Sequence, residues 1–246
     1  MSRGAKISAA AVAAFLAVVI ARFPARWADG LLPSGTTCLR VSGTLWNGAC
    51  SGLVADGSPI GDLTWSVHPL RLVTASLSAD VELSRGSGSA RGRVDIGPSG
   101  TVTAQDVHAA FPLDRTLLAE LPPGTRARAQ ADIAFLRYKG NRILALRGRI
   151  DVQGLTTARG EPLGDYRLEF PADTATTRGS LVGHLTDLGG PFSVDGTVRL
   201  TPEPGYVIEA EVAARPGAPP DLENALRYLG SADSRGRRPF SLAGTF

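Results

Sequence analysis

The sequence predicts a mainly β protein, in which an N-terminal transmembrane helix precedes a duplicated antiparallel β-meander domain with two short helices. The first observation is composition, with 29 glycines, 17 prolines and a hydrophobic fraction of 43% in 246 residues. So many glycines and prolines disfavour a helical bundle, while the hydrophobic fraction is too high for a disordered chain. The second observation is an apolar run near the N-terminus, and the third is a strand pattern that recurs along the remaining chain.

The apolar run covers Ile7 to Ala21 and is broken only by Ser8. Arg3 and Lys6 precede it and Arg22 follows, so the positive N-terminal flank points that end to the cytoplasm and the rest of the chain across the membrane. A cleaved signal peptide and a retained anchor both begin with a positive flank and an apolar segment. We favour a retained anchor within residues 1–24, because no small-x-small cleavage pattern follows the run.

Export of the remaining chain, residues 25–246, accounts for the two cysteines, Cys38 and Cys50. Their spacing is not that of a CxxC redox pair and no histidine is nearby in the sequence, so a structural disulfide is expected in an oxidising compartment. The chain-entropy model assigns about 3 kcal/mol to closing a loop of about a dozen residues. The disulfide would hold the first hairpin of the domain together.

The stretch between the cysteines has strand character, and its tripeptide Gly43-Thr44-Leu45 recurs in degenerate form along the chain. The recurrences begin at Gly92, Gly148, Gly196 and Gly244, at successive offsets of 49, 56, 48 and 48 residues. A spacing near fifty residues indicates a repeated β unit.

A longer repeated motif supports an internal duplication. Residues Glu161–Phe170 repeat the pattern of Ser58–Val67, in which a proline and an apolar residue precede Gly-Asp and an alternating strand follows. The two Gly-Asp dipeptides are 103 residues apart. We therefore predict two β-meander halves, covering roughly residues 36–130 and 131–246.

Each predicted half ends with a short helical segment, Arg115–Leu121 in the first and Leu222–Leu229 in the second. In the second segment the apolar residues recur at helical spacing and form one face. Asp221 is the predicted N-cap, and Gly230 directly after the segment is a typical stop signal.

No catalytic or metal-binding constellation is evident, and the sequence predicts neither an enzyme nor a cofactor. The histidines His68, His108 and His184 are far apart and are interpreted as structural or solvated residues. The phosphate-cradling, nucleophile-elbow and zinc-protease motifs do not occur in the sequence. Asp62 and Asp165 recur at matching positions, but an aspartate after a turn glycine is expected to bond the local backbone. The arginines are not interleaved with aromatics, which argues against nucleic-acid binding.

Beyond the apolar run, several segments form an ordered set of motifs. They are Val41–Gly48, Leu63–Leu72, Phe111–Leu113, Leu121–Pro122, Ala225–Gly230, Gly236–Arg238 and Leu242–Gly244. The set resembles protein N of the bacterial type II secretion system, and it covers nearly the whole chain in order. The cysteine pair is not required by this resemblance, so the disulfide would be a feature of a subgroup.

The resemblance implies a single-pass inner-membrane protein of Gram-negative bacteria, with its N-terminus in the cytoplasm and most of its mass in the periplasm. Its role would be that of a non-catalytic scaffold or connector in the export of folded proteins across the outer membrane. The implied partners are the inner-membrane platform proteins and the outer-membrane secretin. The implied fold is a curved, AsmA-like open sheet or half-barrel with an apolar groove.

Two candidate binding regions follow. Partner-binding candidates are Trp46 and Trp65, although both also suit a core position because aromatic burial dominates small β cores. The terminal helix face adds the candidates Leu222, Leu226 and Leu229. The alternative function is lipid binding or lipid transfer by the apolar groove, whose inner face would include Val194, Val198 and Leu200. These alternating residues would equally fill an ordinary core.

Overall fold

The computed structural model describes residues 18–19, 21–26, 35–69, 71, 76–113, 123–140, 142–171, 180–201 and 205–245. The chain divides into two compact units, residues 1–86 and residues 87–246. Within each unit the strands are antiparallel and follow one another in chain order. The predicted mainly β meander is thereby confirmed. The unit boundary differs from the predicted repeat boundary at residues 130 and 131, and the duplication itself stays a prediction.

In the first unit the described residues form four strands. They are β1 (Thr36–Gly43), β2 (Asn47–Ala55), β3 (Ser58–Val67) and β4 (Leu77–Arg85). A two-residue turn joins β2 to β3, and both of its residues have positive φ, 47° at Asp56 and 78° at Gly57. Asp-Gly is a preferred pair for this kind of hairpin, because such turns match the right-handed twist of the flanking strands.

In the second unit the described residues form nine strands and one helical segment. The strands are β5 (Gly88–Ile96), β6 (Val102–Leu113), β7 (Arg126–Lys139), β8 (Arg142–Thr156), β9 (Pro162–Phe170), β10 (Leu181–Gly189), β11 (Phe192–Thr201), β12 (Gly205–Ala214) and β13 (Arg238–Gly244). Between β12 and β13 lie the helix α1 (Pro220–Leu226) and a single 3-10 turn (Arg227–Leu229). All neighbouring strands from β5 to β13 pair antiparallel.

Helix α1 and its 3-10 turn confirm the helical segment predicted at the C-terminal end, and Gly230 ends it with φ of 108°. The predicted N-cap is wrong. Pro219 occupies the cap position without a side-chain cap, and Asp221 lies in the first turn. Pro220 follows at N1, where a proline nitrogen needs no hydrogen-bond partner. An acidic residue in the first turn is favoured by the helix dipole. The other predicted helix, Arg115–Leu121, lies outside the described residues.

Most of the predicted anchor also lies outside the described residues. The structure describes Val18, Val19 and Ala21 as helical, and the Arg22 backbone N–H donates a 2.9 Å hydrogen bond to the Val18 carbonyl. Among the residues that the structure describes, no helix has the length and apolar character needed to cross a membrane.

The five recurring glycines do not mark a constant number of strands. Gly43, Gly92, Gly148, Gly196 and Gly244 lie in β1, β5, β8, β11 and β13, so successive intervals are four, three, three and two strands. Their surroundings differ as well: Gly43 has φ of +84°, whereas a Cβ on Gly196 would lie 2.4 Å from the Glu209 carbonyl oxygen. The near-constant spacing therefore does not correspond to a repeated strand unit.

The described core of the second unit lies beneath helix α1. Leu226 on the helix packs with Val194 of β11 and with Ala210 and Val212 of β12, and all four are buried. Partly buried side chains surround this cluster: Tyr166, Leu185, Phe192, Ala214, Leu229 and Phe240. The helix is only seven residues long, so its stability comes from this apolar packing rather than from intrinsic propensity.

The predicted disulfide between Cys38 and Cys50 is confirmed, and the described cysteines include no free thiol. It joins β1 to β2 diagonally, since Cys38 pairs with Leu53 and Cys50 pairs with Val41 in the strand register. Cys50 is buried, with 4% of its surface exposed. The covalent link thus ties the terminal strand of the first unit to its neighbour.

Gly48 offers a direct test of packing in the first unit. A Cβ at this position would lie 2.3 Å from Cζ2 of Trp65 and 2.8 Å from the Thr44 carbonyl oxygen. We expect Gly48→Val to lower the free energy of unfolding by about 1–3 kcal/mol through overpacking. Urea unfolding followed by tryptophan fluorescence measures this change.

The matched control is Gly97→Ala, because the nearest atom to a Cβ there is the Thr101 carbonyl oxygen at an ordinary 3.7 Å. We expect that control to change the free energy of unfolding by less than about 0.5 kcal/mol. Equal effects of the two substitutions would contradict the close approach of the Trp65 ring to Gly48.

Candidate interaction surfaces

An apolar row crosses the described strands of the second unit, from β5 to β13. Its members face one another in register: Ala90, Ala109, Ala131, Ile150, Leu168, Leu185, Gly196, Ala210 and Phe240. The residues predicted for an apolar inner face lie on the same side, because Val194 and Val198 are two positions from Gly196 along β11. Both valines are buried, and Leu200 is partly buried. A continuous row of apolar residues therefore runs along one face of this sheet, from β5 to β13.

The opposite face carries a polar row. In each strand its member lies one residue before or after the member of the apolar row. Its members, again in register, are Arg91, His108, Asp132, Arg149, Glu169, His184, Thr197, Glu209 and Ser241. Because successive side chains of a strand point to opposite faces, the register that aligns the apolar row also aligns this one. Cations and anions alternate at its centre, which places opposite charges on neighbouring strands.

Asp132 joins two of these neighbours. The His108 imidazole donates to one carboxylate oxygen at 2.8 Å, and the Arg149 guanidinium donates to the other at 2.9 and 3.2 Å. These hydrogen bonds, first from His108 and then from Arg149, hold the pKa of the Asp132 carboxyl below its usual range. The group is a solvent-exposed ion pair network, with 44% of the Asp132 side chain accessible.

The histidine partners were missed by sequence reasoning. His68, directly after β3, bonds Asp80 of β4 at 2.8 Å, and His108 bonds Asp132 across β6 and β7 at 2.8 Å. Partners 12 and 24 residues away come together only through strand register, which no local spacing reveals. His184 lies on the polar face, between Glu169 and Thr197 in register. Within the described ranges no cluster of three metal-ligating side chains occurs.

The neighbouring ion pair on the polar face is less exposed. Arg167 of β9 donates to both carboxylate oxygens of Asp151 in β8, at 2.6 and 2.9 Å. Asp151 is 8% exposed, and the Arg167 hydrogen bonds hold the pKa of its carboxyl below the usual range despite burial. A two-point guanidinium–carboxylate contact fixes geometry as well as charge, so it holds the β8–β9 register.

A second buried carboxylate lies at the end of β10. Burial would raise the pKa of Asp187, but the Val194 backbone N–H at 2.9 Å and the Arg215 guanidinium outweigh it, and the net shift is downward. Nearby, burial first and the Asp187 charge second raise the pKa of Tyr166 to about 12. The Tyr166 hydroxyl donates to the Leu163 carbonyl at 2.6 Å, so the phenol stays neutral and the carboxylate stays charged.

The two recurring aspartates make the same contact in the two units. Asp62 accepts a 2.8 Å hydrogen bond from the backbone N–H of Gly52, and Asp165 accepts one of 2.7 Å from that of Gly154. Both glycines have positive φ and lie where the strand register shifts. Both aspartates accept a backbone hydrogen bond, but the predicted local contact is wrong, because each donor lies on the neighbouring strand rather than in the aspartate's own turn. Each contact fixes a β-bulge, a local feature that changes the course of a strand.

The candidate helix residues are placed against the sheet. Leu222 and Leu226 are buried, and Leu229 packs beside them. Their partner-binding role stays a prediction, and it would require the helix to leave the sheet. The opposite side of this segment presents Tyr228, whose surface is 93% exposed. The sequence analysis selected the apolar face of this segment, which a helix normally buries against the core, and therefore missed the exposed Tyr228.

The two candidate tryptophans lie at one end of the first unit and are half-buried. The Trp65 ring lies against Gly48, and its Nε1 donates a 3.0 Å hydrogen bond to the Leu45 carbonyl. The carbonyl of Trp46 accepts a 2.6 Å hydrogen bond from the Val67 backbone N–H. Each residue therefore has a structural contact and an accessible part, and a recognition role for either stays a prediction.

Known proteins resemble this chain over most of its length. A family model described as type II secretion system (T2SS), protein N, matches residues 35–241. The type II secretion system protein N of Vibrio cholerae serotype O1 is 27% identical over 221 residues, 87% of this chain and 86% of that protein. The protein of the same name from Aeromonas hydrophila is 25% identical over 256 residues, 99% of each chain. No solved structure gives a significant match.

The ion pairs predict how stability depends on pH. The pKa values of Asp132, Asp151 and Asp187 are lowered in the folded protein, so their contribution is complete above the unfolded value near 4 and is lost as the pH falls through the folded values. We expect Asp151→Asn to lower the free energy of unfolding at pH 7 by about 1–2 kcal/mol. Urea unfolding at pH 7 and at a series of acidic pH values measures both effects.

The variant should also lose less stability than the parent on acidification, because one of the groups that takes up a proton on acid unfolding has been removed. An unchanged acid dependence in Asp151→Asn would contradict the assigned role of the Arg167 contact.

The two bulge contacts predict matched substitutions. Asp62→Ala and Asp165→Ala each remove the acceptor for a glycine N–H, and we expect each to lower the free energy of unfolding by about 0.5–1.5 kcal/mol. Asp62→Asn and Asp165→Asn keep a side-chain carbonyl and should cost less. Chemical denaturation compares them with Asp195→Ala, an exposed aspartate on the polar face. Losses no larger than that of Asp195→Ala would show that the contacts do not stabilise the bulges.

Proposed function

Because the chain belongs to the type II secretion system protein N family, we propose that it is an accessory, non-catalytic component of that machinery. It would act as a scaffold or connector in the export of folded proteins across the outer membrane. The observation that carries the proposal is the family match over residues 35–241, which includes the described strands β1 to β13 apart from the last residues of β13.

The proposed arrangement places the chain in the inner membrane as a single-pass protein. The Ile7–Ala21 run would be the anchor, with residues 25–246 in the periplasm and the N-terminus in the cytoplasm. The positive flank at Arg3 and Lys6 supports this orientation. The disulfide between Cys38 and Cys50 supports an oxidising compartment for the β units.

Sheet edges are the proposed contacts with other secretion components. In the described chain β13 pairs with β12 on one side only, and Leu242 on β13 is 41% exposed. An edge strand presents backbone donors and acceptors, and an extended segment of a partner can add to it. Tyr228 lies in the 3-10 turn that packs beside β13 and would supply an aromatic anchor next to that edge. Inner-membrane platform proteins and the outer-membrane secretin are the proposed partners.

A second candidate function is binding or transfer of lipid along the apolar face of the second unit. The nine-residue apolar row favours it, because the described core under helix α1 uses only part of that apolar face. Native mass spectrometry of the detergent-free β units separates the two functions. Co-purified phospholipid would favour the lipid groove, whereas an unloaded protein would favour the scaffold.

Site-specific photo-crosslinking in cells tests the scaffold. We expect probes at Tyr228 and Leu242 to give defined adducts with a platform protein or with the secretin, because both residues are exposed, Leu242 on β13 and Tyr228 in the 3-10 turn that contacts β13. Immunoblotting of the adducts against each secretion component measures the result. The matched control is a probe at Ser99, an exposed residue of the β5–β6 turn. Capture of lipid alone, in cells whose secretion depends on the protein, would contradict the scaffold and favour the groove.

A further inference from the structure

The chain enters the first unit without a free linker. Directly after the predicted anchor, the Phe23 carbonyl accepts a 2.9 Å hydrogen bond from the Leu45 N–H. Pro24 forms a β-bridge with Thr44, and Ala25 is 1% exposed. The segment that follows the apolar run is thus fixed to the β1–β2 turn rather than suspended between two domains.

This junction sets a distance from the membrane. The apolar run ends at Ala21, and two residues of extended chain span at most about 7 Å to Phe23. The headgroup layer on each side of a bilayer is about 5 to 7 Å thick. An anchor that occupies the hydrocarbon region therefore leaves Phe23, and with it Leu45, within or at the outer surface of the headgroup layer.

The same end of the first unit has the composition of a membrane-interface surface. Half-buried Trp46 and Trp65 lie there, because Asn47 at the start of β2 pairs with Ser66 near the end of β3. Phe23 is 37% exposed. Tryptophan is enriched at headgroup level, where its ring is partly apolar and its N–H can remain hydrated.

Charge on this end suits anionic headgroups. Arg22, Arg26 and Arg71 have exposed side chains here, and arginine is attracted to the surface of anionic lipid. The nearby carboxylate of Asp80 is hydrogen-bonded to the His68 ring at 2.8 Å. The opposite end of the strands carries the acidic turn residue Asp56.

We propose that the β1–β2 turn end of the first unit rests on the periplasmic surface of the inner membrane, with phospholipid headgroups as its partner. The inference depends on the anchor in the proposed function. It goes beyond that function because it fixes which end of the unit faces the bilayer: Trp46 and the exposed arginines contact headgroups, and the Asp56–Gly57 turn points away. The anchor and the first unit then act as one element with a defined direction.

Quenching by brominated phospholipid tests this placement in the full chain reconstituted into liposomes with anionic lipid. Trp27→Phe removes the third tryptophan, which lies outside the described residues, and leaves Trp46 and Trp65 as reporters. We expect dibrominated acyl chains to reduce their fluorescence by about a third or more, since interfacial tryptophans lie beside the upper acyl chains. Fluorescence unaffected by brominated lipid, with the protein still membrane-bound, would overturn the docking while leaving the anchor intact.

The control inserts ten Gly/Ser residues between Arg22 and Phe23, which preserves the Phe23–Leu45 pairing. A flexible linker of that length has a root-mean-square span of about 17 Å, so we expect most of the quenching to disappear. Equal quenching in the linker variant would overturn the short tether as the cause of the placement. Carbonate extraction is run in parallel, and release of the parent chain into the soluble fraction would overturn both the anchor and the docking.

Discussion

Cross-strand register is the constraint on which the second unit depends. A displacement of one residue on any strand would move its apolar member to the polar face and break the ion pairs there. The two faces reinforce each other, because Ile150 aligns with Leu168 on one side while Asp151 holds Arg167 on the other. Apolar burial supplies most of the driving force, and the charged contacts make one register more favourable than its neighbours. Asp132, between His108 and Arg149, extends the same control over three adjacent strands.

Register also explains what the sequence could and could not predict. Alternation within Ser58–Val67 identified β3, and the apolar spacing of Leu222 to Leu229 identified the terminal helix, because both signals are local. The partners of the histidines could not be read locally, since each depends on which residues of two strands face each other. Asp221 shows another limit: an acidic residue near a helix start fits both the cap and the first turn, and the preceding prolines decided between them.

The recurring motifs show how differently two sequence signals can correspond to structure. The Gly-x-β tripeptide recurred at nearly even spacing, yet its glycines lie in strands separated by four, three, three and two steps. The Gly-Asp motif recurred only once, and both copies form the same aspartate-stabilised bulge. The difference is physical. A glycine in a strand satisfies many local needs, whereas a carboxylate that receives a backbone N–H from a positive-φ glycine requires one specific arrangement.

The strand order within each unit has a consequence for how the protein forms. Neighbours in space are neighbours in sequence, so each strand can pair as soon as the one after it is available, without waiting for a distant segment. Some of the loops between partners are short, such as the two-residue turn between β2 and β3, and a short loop costs little entropy to close. Pairing between neighbours in sequence favours faster folding than pairing between distant segments. The first unit can complete its strands and close its disulfide while the second unit is still unformed. A chain built in this way leaves few unpaired strands exposed at any moment of its assembly.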